Sequence, residues 1–164
     1  LADQVKALVR PRTRDGSAVI GDERMAVSLA RADWAYFPSL LWRTSTVRKH
    51  GFNTDFAIAL DLSLLLDIAL SGGRMLIADH LVFCYRRHAA SASATAANGD
   101  LRFAQEALLL DAYAQKFSIR GWGVAARVAR RRVIPRLNAL VAAATSLAKG
   151  RMRETIRYCR YLFV

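Results

Sequence analysis

Three groups of side chains in this sequence are of the types that do chemistry. The first is the run Arg86, Arg87 and His88, which opens a Ser/Ala-rich stretch. Two guanidiniums at one loop mouth can hold a diphosphate bidentately and offset charge developing on a leaving group, and a histidine beside them can bind phosphate or an acceptor. A solvated basic turn is the plainer alternative, since exposure is the default for charge. The second group is Asp61 and Asp67, the carboxylates of the otherwise apolar run AIALDLSLLLDIA. At the head of that run Asp61 reads as an N-cap on a buried helix, and Asp67 as the structural partner of an arginine. The third is Trp42 with Arg43. An indole offers a flat apolar face for stacking on a ring, and it fills a core equally well.

Other reactive types are poorly placed. His50 and His80 have no second histidine, cysteine or carboxylate at ligand spacing, so neither reads as a metal ligand. No Asp-x-Asp ends an apolar strand, and Asp61-Leu62-Ser63 only half imitates one. Cys84 and Cys159 lie far apart without CxxC spacing and read as reduced thiols, which fits a cytosolic compartment.

These residues need elements to hold them. The segment Tyr36–Leu41 predicts a strand leading into Trp42, with Pro38 marking an edge or a start. Ser45 or Thr46 is expected to cap a short helix through His50, ended by Gly51 in the left-handed conformation. The run Leu60–Leu70 is a helix that must be buried on most sides. At about eleven residues it falls well short of the roughly 20 needed to cross a bilayer. Gly72-Gly73 stops it, and Met75–Ala78 and Leu81–Tyr85 read as short strands around Asp79-His80, before a small polar loop over 88–98.

Upstream, a short amphipathic turn (Val5, Leu8, Val9) and the loop PRTRDGSAV precede a helix from Asp22 to Ala32. Asp22 is its expected cap, and Met25, Leu29 and Ala32 share one face. Downstream, a long helix starts at Asp100, with Phe103, Ala107, Leu110, Ala114 and Phe117 at helical period. Gly121 and Gly123 break it, and a second helix runs to about Val133. Pro135 then kinks that helix or opens a third, whose Leu137, Leu140, Val141, Ala144 and Ala148 align until Gly150. The last helix sets Met152, Ile156, Cys159 and Phe163 on one face, beside Arg153, Arg157 and Arg160.

With 164 residues and 54% hydrophobic content the chain is one domain or part of a larger one, and a disordered polymer is excluded. It begins at Leu1 with no signal-like segment, which reads as a piece of a longer polypeptide or a processed product, with no sign of secretion. The net charge of +12 is lopsided: from Arg120 onward eleven basic residues face the single acid Glu154. A cationic tail attracts anionic head groups, nucleic acid or pyrophosphate-linked substrates. The cluster Arg127, Arg130, Arg131, Arg132 and Arg136 suits a solvated helical face, a membrane surface or nucleic acid alike.

From Phe37 to Ser93 the sequence runs FPSLLWRTSTVRKHGF, then NTDFAIALDLSLLLDIALSGG, and closes RMLIADHLVFCYRRHAASAS. This succession resembles the acceptor-side half of an inverting family-2 glycosyltransferase of the GT-A fold. There an aromatic/arginine strand, a GF(D/N) turn, an (E)D helix start and a YRxH…S loop follow in that order. The likeness is close over Phe37–Ser93 and looser over residues 1–110. Here Leu60 stands where the family often has glutamate, and nothing resembles the nucleotide-sugar half.

The resemblance implies an α/β fold: the C-terminal part of a GT-A domain with a small mixed sheet over residues 1–98, followed by a basic helical extension over 99–164. It implies transfer of a sugar from a nucleotide-sugar to a sugar or lipid-linked hydroxyl acceptor, in cell-surface polysaccharide or glycolipid assembly. Asp61 would be the general base, Arg86, Arg87 and His88 would bind the donor diphosphate, and Trp42 and Arg43 would shape the acceptor site. The family's divalent cation (Mg or Mn) implies an Asp-x-Asp on the donor half, a motif this chain lacks, so the fragment alone is expected to be inactive. The expected location is cytoplasmic, peripheral on the inner membrane face. The rival reading is a non-catalytic remnant or binding module contacting a partner, an anionic membrane or nucleic acid, with nucleic acid ranked last.

Overall fold

The computed structural model describes residues 7–56, 58–84 and 101–163. Within them lies a mixed α/β architecture dominated by helices, with one two-stranded antiparallel sheet. Strand β1 (Ser17–Gly21) pairs with β2 (Arg74–Ala78) in the register Ser17↔Ala78 to Gly21↔Arg74. The pleat turns Ile20 and Ile77 inward while Val19 and Leu76 face out. Just before β1, Asp15 and Gly16 both take positive φ and close a tight turn between Arg14 and Ser17. An Asp-Gly pair is well suited to that geometry, so the segment expected as loop folds back and opens a strand.

Helix α1 (Asp22–Arg31) buries Met25, Ala26, Leu29 and Ala30 beneath the sheet. Asp22 is not its cap: Gly21 occupies that position and Asp22 is the first helical residue, at φ 47°. The expected strand at Tyr36–Leu41 is also absent. Phe37–Ser39 is instead a single 3₁₀ turn with Pro38 inside it, closed by the Ser39 hydroxyl on the Tyr36 carbonyl at 2.7 Å. Proline supplies the fixed φ such a turn needs and removes a donor a strand would need. Residues 81–84 likewise form no strand. Among the described residues, which do not include Tyr85, the sheet is antiparallel rather than mixed.

Helix α2 (Thr44–His50) starts from Arg43, not from Ser45 or Thr46, and carries no side-chain cap. Gly51 ends it at φ 67° as expected. Helix α3 (Leu60–Leu70) is enclosed along most of its length, from Leu62 to Leu66 and again at Ile68 and Ala69. Its end has the hydrogen-bond pattern of a Schellman motif: Gly73 N–H bonds the Ile68 carbonyl at 2.8 Å, and Gly72 N–H that of Ala69 at 3.0 Å.

Helix α4 (Leu101–Ile119) lies against α3, joined to it by two polar links. The Tyr113 hydroxyl donates to the Ser63 carbonyl at 2.9 Å and lies 2.9 Å from the Ser63 hydroxyl. Lys116 pairs with Asp67 at 3.1 Å, so the partner of Asp67 is a lysine and not an arginine. Burial, opposed in part by the Ser63 bond, holds the Tyr113 phenol well above the usual tyrosine range. In the unfolded chain this phenol ionises near 10.0. Its contribution is therefore intact below that pH and lost above it. Stability should decline from about pH 10 upward, by about 1.4 kcal/mol per pH unit from this group. Urea titrations of the wild type and Tyr113→Phe between pH 8 and 11 check this: the variant should be weaker at pH 8 and show a shallower alkaline decline.

Helix α5 (Gly123–Arg131) inserts Ala125, Ala126 and Ala129 between α1 and α4, small residues that allow close approach. Its N-terminus is capped from across the fold, where Glu23 accepts from Val124 N–H at 2.9 Å and Ala125 N–H at 3.0 Å. Arg132, left-handed at φ 46°, turns the chain into α6 (Val133–Ala148) and pairs with Asp111 of α4 at 3.2 Å. Pro135 sits in the first turn of α6, where a missing N–H costs nothing. Helix α7 (Met152–Arg160) packs back along α6. One cluster of buried apolar side chains spans Ile20 to Ala129, and α6 and α7 lie beside it.

Candidate functional site

The approach to α3 is held by local bonds. Asn53 Oδ1 accepts from Asp55 N–H at 3.0 Å, an Asx turn, and Ile58 N–H reaches Gln105 of α4 at 2.8 Å. These contacts fix where α3 begins and so where Asp61 stands. Its N-cap is Ala59, so Asp61 is not the cap expected of it but a residue of the first helical turn. There the positive end of the helix dipole favours a carboxylate. Asp61 is half-buried, accepts from Leu62 N–H at 2.9 Å, and has no ion-pair partner among the described residues.

Trp42 packs half-buried against the core, with the Phe37 ring 6.2 Å away and tilted. Phe37 in turn meets Phe52 edge-on at 6.1 Å. Phe37 and Phe52 are exposed, so the three rings, drawn from both sides of α2 in the sequence, form an aromatic surface. The FP start and the GF turn carried the signal in the sequence, but only their meeting in space makes a patch. Arg43 is exposed at the head of α2. His50, at the other end of that helix, lies 3.2 Å from the Ser71 hydroxyl and links α2 to the end of α3. Helices α2 and α3 pack together, but among the described residues Trp42 and Arg43 share no hydrogen bond or ion pair with Asp61. Arg86, Arg87 and His88 lie outside the described residues.

A groove elsewhere in the fold was not foreseen. An open groove of about 760 Å³ lies between residues 8–12, β1 and α1, with Arg10, Arg12, Arg24 and Arg31 around a floor that includes Val27. Arg10 is engaged with Asp79 at 3.2 Å. The seven-residue spacing of Arg24 and Arg31 sets both on one helical face, a signal present in the sequence. None of Asp61, Trp42 and Arg43 lines this groove.

Among the described residues no three His, Cys, Asp or Glu side chains come together as metal ligands. Among the same residues no helix is long and apolar enough to cross a membrane. Comparison with family models, curated proteins and solved structures finds no match to this chain.

Proposed function

We propose that this chain is the acceptor-side part of a family-2 inverting glycosyltransferase, which transfers a sugar from a nucleotide-sugar to a hydroxyl acceptor once a donor-binding half is joined to it. The support is the motif succession from Phe37 to Ser93 together with one observation: the carboxylate of Asp61. It sits in the first turn of an otherwise enclosed helix, half-exposed and held by a single bond to its neighbour's amide. A general base needs this combination, because a fixed backbone sets its position while open lone pairs face the acceptor.

In this reading Asp61 takes the proton of the acceptor hydroxyl as its oxygen attacks the anomeric carbon. The bond to the nucleoside diphosphate breaks on the opposite face, and its electrons leave with the diphosphate. Arg86 and Arg87 offset that charge. The Phe37, Trp42 and Phe52 rings offer apolar faces to a sugar ring.

The test is reconstitution. Radiolabelled nucleotide-sugars are screened with the purified 164 residues, alone and joined to the polypeptide encoded immediately upstream. Transfer is expected only in the joined form, because catalysis depends on positioning the donor. Robust transfer by the isolated chain, or an upstream sequence with no βαβ unit bearing Asp-x-Asp, would overturn the proposal.

A further inference from the structure

Helix α6 is built inside out. It buries the small residues Pro135, Ala139, Ala143 and Ser146, and exposes the large ones Val133, Leu137, Leu140, Val141 and Leu147. A helix facing only a protein core on one side and water on the other places these the opposite way round. The exposed positions follow a spacing of four, three, one and six residues, which keeps them on one stripe of a 3.6-residue helix. Helix α7 likewise leaves apolar side chains facing outward. It buries Thr155 and Tyr158 and exposes Met152 and Ile156, and Phe163 in the turn beyond it is 87% exposed. Arg153 and Arg160 stand exposed along one edge of that second stripe.

The pair is not a loose appendage. Tyr158 packs edge-on against Phe103 of α4 at 5.6 Å, Tyr161 meets the same ring at 5.7 Å, and the Ser146 hydroxyl bonds Glu154 at 3.3 Å. The apolar side chains are therefore held outward by packing on the other side of each helix.

We propose that α6 and α7 dock on an anionic lipid bilayer, lying in the headgroup plane with their apolar stripes turned into the acyl boundary. Charge selects this occupant. The segment from Arg120 onward holds eleven basic residues and one acid, so a second copy meeting it face to face would oppose like charges. Nucleic acid would match the charge, but its phosphates have no use for a stripe of leucine, valine and methionine. An anionic bilayer offers negative charge and apolar depth together. At 16 residues α6 is ~24 Å long, and neither helix is long and apolar enough to cross a membrane, so the geometry is that of lying on the surface. This inference stands apart from the glycosyltransferase reading and needs no sugar transfer.

The experiment is co-sedimentation of the full chain with phosphatidylglycerol-containing or pure phosphatidylcholine vesicles at rising salt. Binding should favour the anionic vesicles and weaken as salt rises, since screening acts beyond about 8 Å at physiological ionic strength. The triple variant Leu137→Asn, Leu140→Asn, Leu147→Asn changes exposed positions only. It should keep the wild-type circular dichroism and lose about tenfold or more of the vesicle affinity. A second variant, Arg153→Gln with Arg160→Gln, should narrow the preference for anionic over neutral vesicles. Equal binding to both vesicle types, or unchanged binding by a folded triple variant, would overturn the docking surface. So would tighter binding to duplex DNA or RNA in the same buffer, or a dimer in sedimentation velocity that the triple variant dissolves.

Discussion

Replacing Asp61 with asparagine is expected to lower sugar transfer by about 10²–10⁴-fold in the reconstituted enzyme, the usual cost of removing a general base. The substitution is close to isosteric. Its amide oxygen can keep the bond from Leu62 N–H, the one bond that holds the wild-type carboxylate among the described residues. Folding should be nearly unaffected, because Ala59 and not Asp61 occupies the cap. Donor binding should also survive, as the proton to be removed belongs to the acceptor. The decisive readouts are the turnover rate and the thermal midpoint, measured on one preparation. A variant with a near-normal rate would remove Asp61 from the chemistry. A variant that loses rate and stability together would assign it a structural role.

Phe117→Ala should have the largest effect on stability, about 3–5 kcal/mol. Phe117 is fully buried, with the rings of Tyr113 and Trp122 each 6.0 Å away. It therefore anchors α4 at the place where the chain turns into α5. Truncation leaves a cavity lined by two large rings that cannot easily collapse, and it removes packing beside the Tyr113–Ser63 link. Urea unfolding gives the value. As a control, Leu140→Ala on the exposed stripe of α6 should change stability by no more than about 0.5 kcal/mol. Equal losses at both positions would mean that the two helical faces are not disposed as described.

The two leucine-rich helices show how far the sequence could be read. The run Leu60–Leu70 has almost no polar face, so burial on most sides was legible from composition, and its Gly72-Gly73 stop was legible from the demand for a left-handed cap. The period of Phe103, Ala107, Leu110, Ala114 and Phe117 was equally plain, and Leu110, Ala114 and Phe117 are buried. In α6 the same kind of periodicity marked a stripe correctly and said nothing of which way it pointed. Periodicity records that a face is apolar; the covering of that face is a matter of neighbours.

Tyr36–Leu41 failed as a strand for a related reason. Aromatic and aliphatic residues favour a half-buried ribbon only where a second strand is at hand to pair, and Phe37–Ser39 has none among the described residues, so Pro38 decides the local geometry. Conversely, β1 is too short to declare itself: only Ala18, Val19 and Ile20 are apolar, its partner β2 lies more than 50 residues away, and the Asp15-Gly16 turn marks its start.

For the candidate site, local chemistry marked Asp61 as a carboxylate at the start of a buried helix, and the excess of arginine after Arg120 marked a surface that attracts anions. Those properties belong to residue type and short-range spacing, which the chain carries with it. The tertiary structure alone decided that Ala59 takes the cap and leaves Asp61 half-open, that Phe37, Trp42 and Phe52 meet, and that Asp67 finds Lys116 rather than an arginine. It also decided that Glu23 caps a helix a hundred residues away and that the leucines of α6 face outward. Each depends on which elements pack side by side, and packing over such separations is set by the whole core at once, not by any window of the sequence.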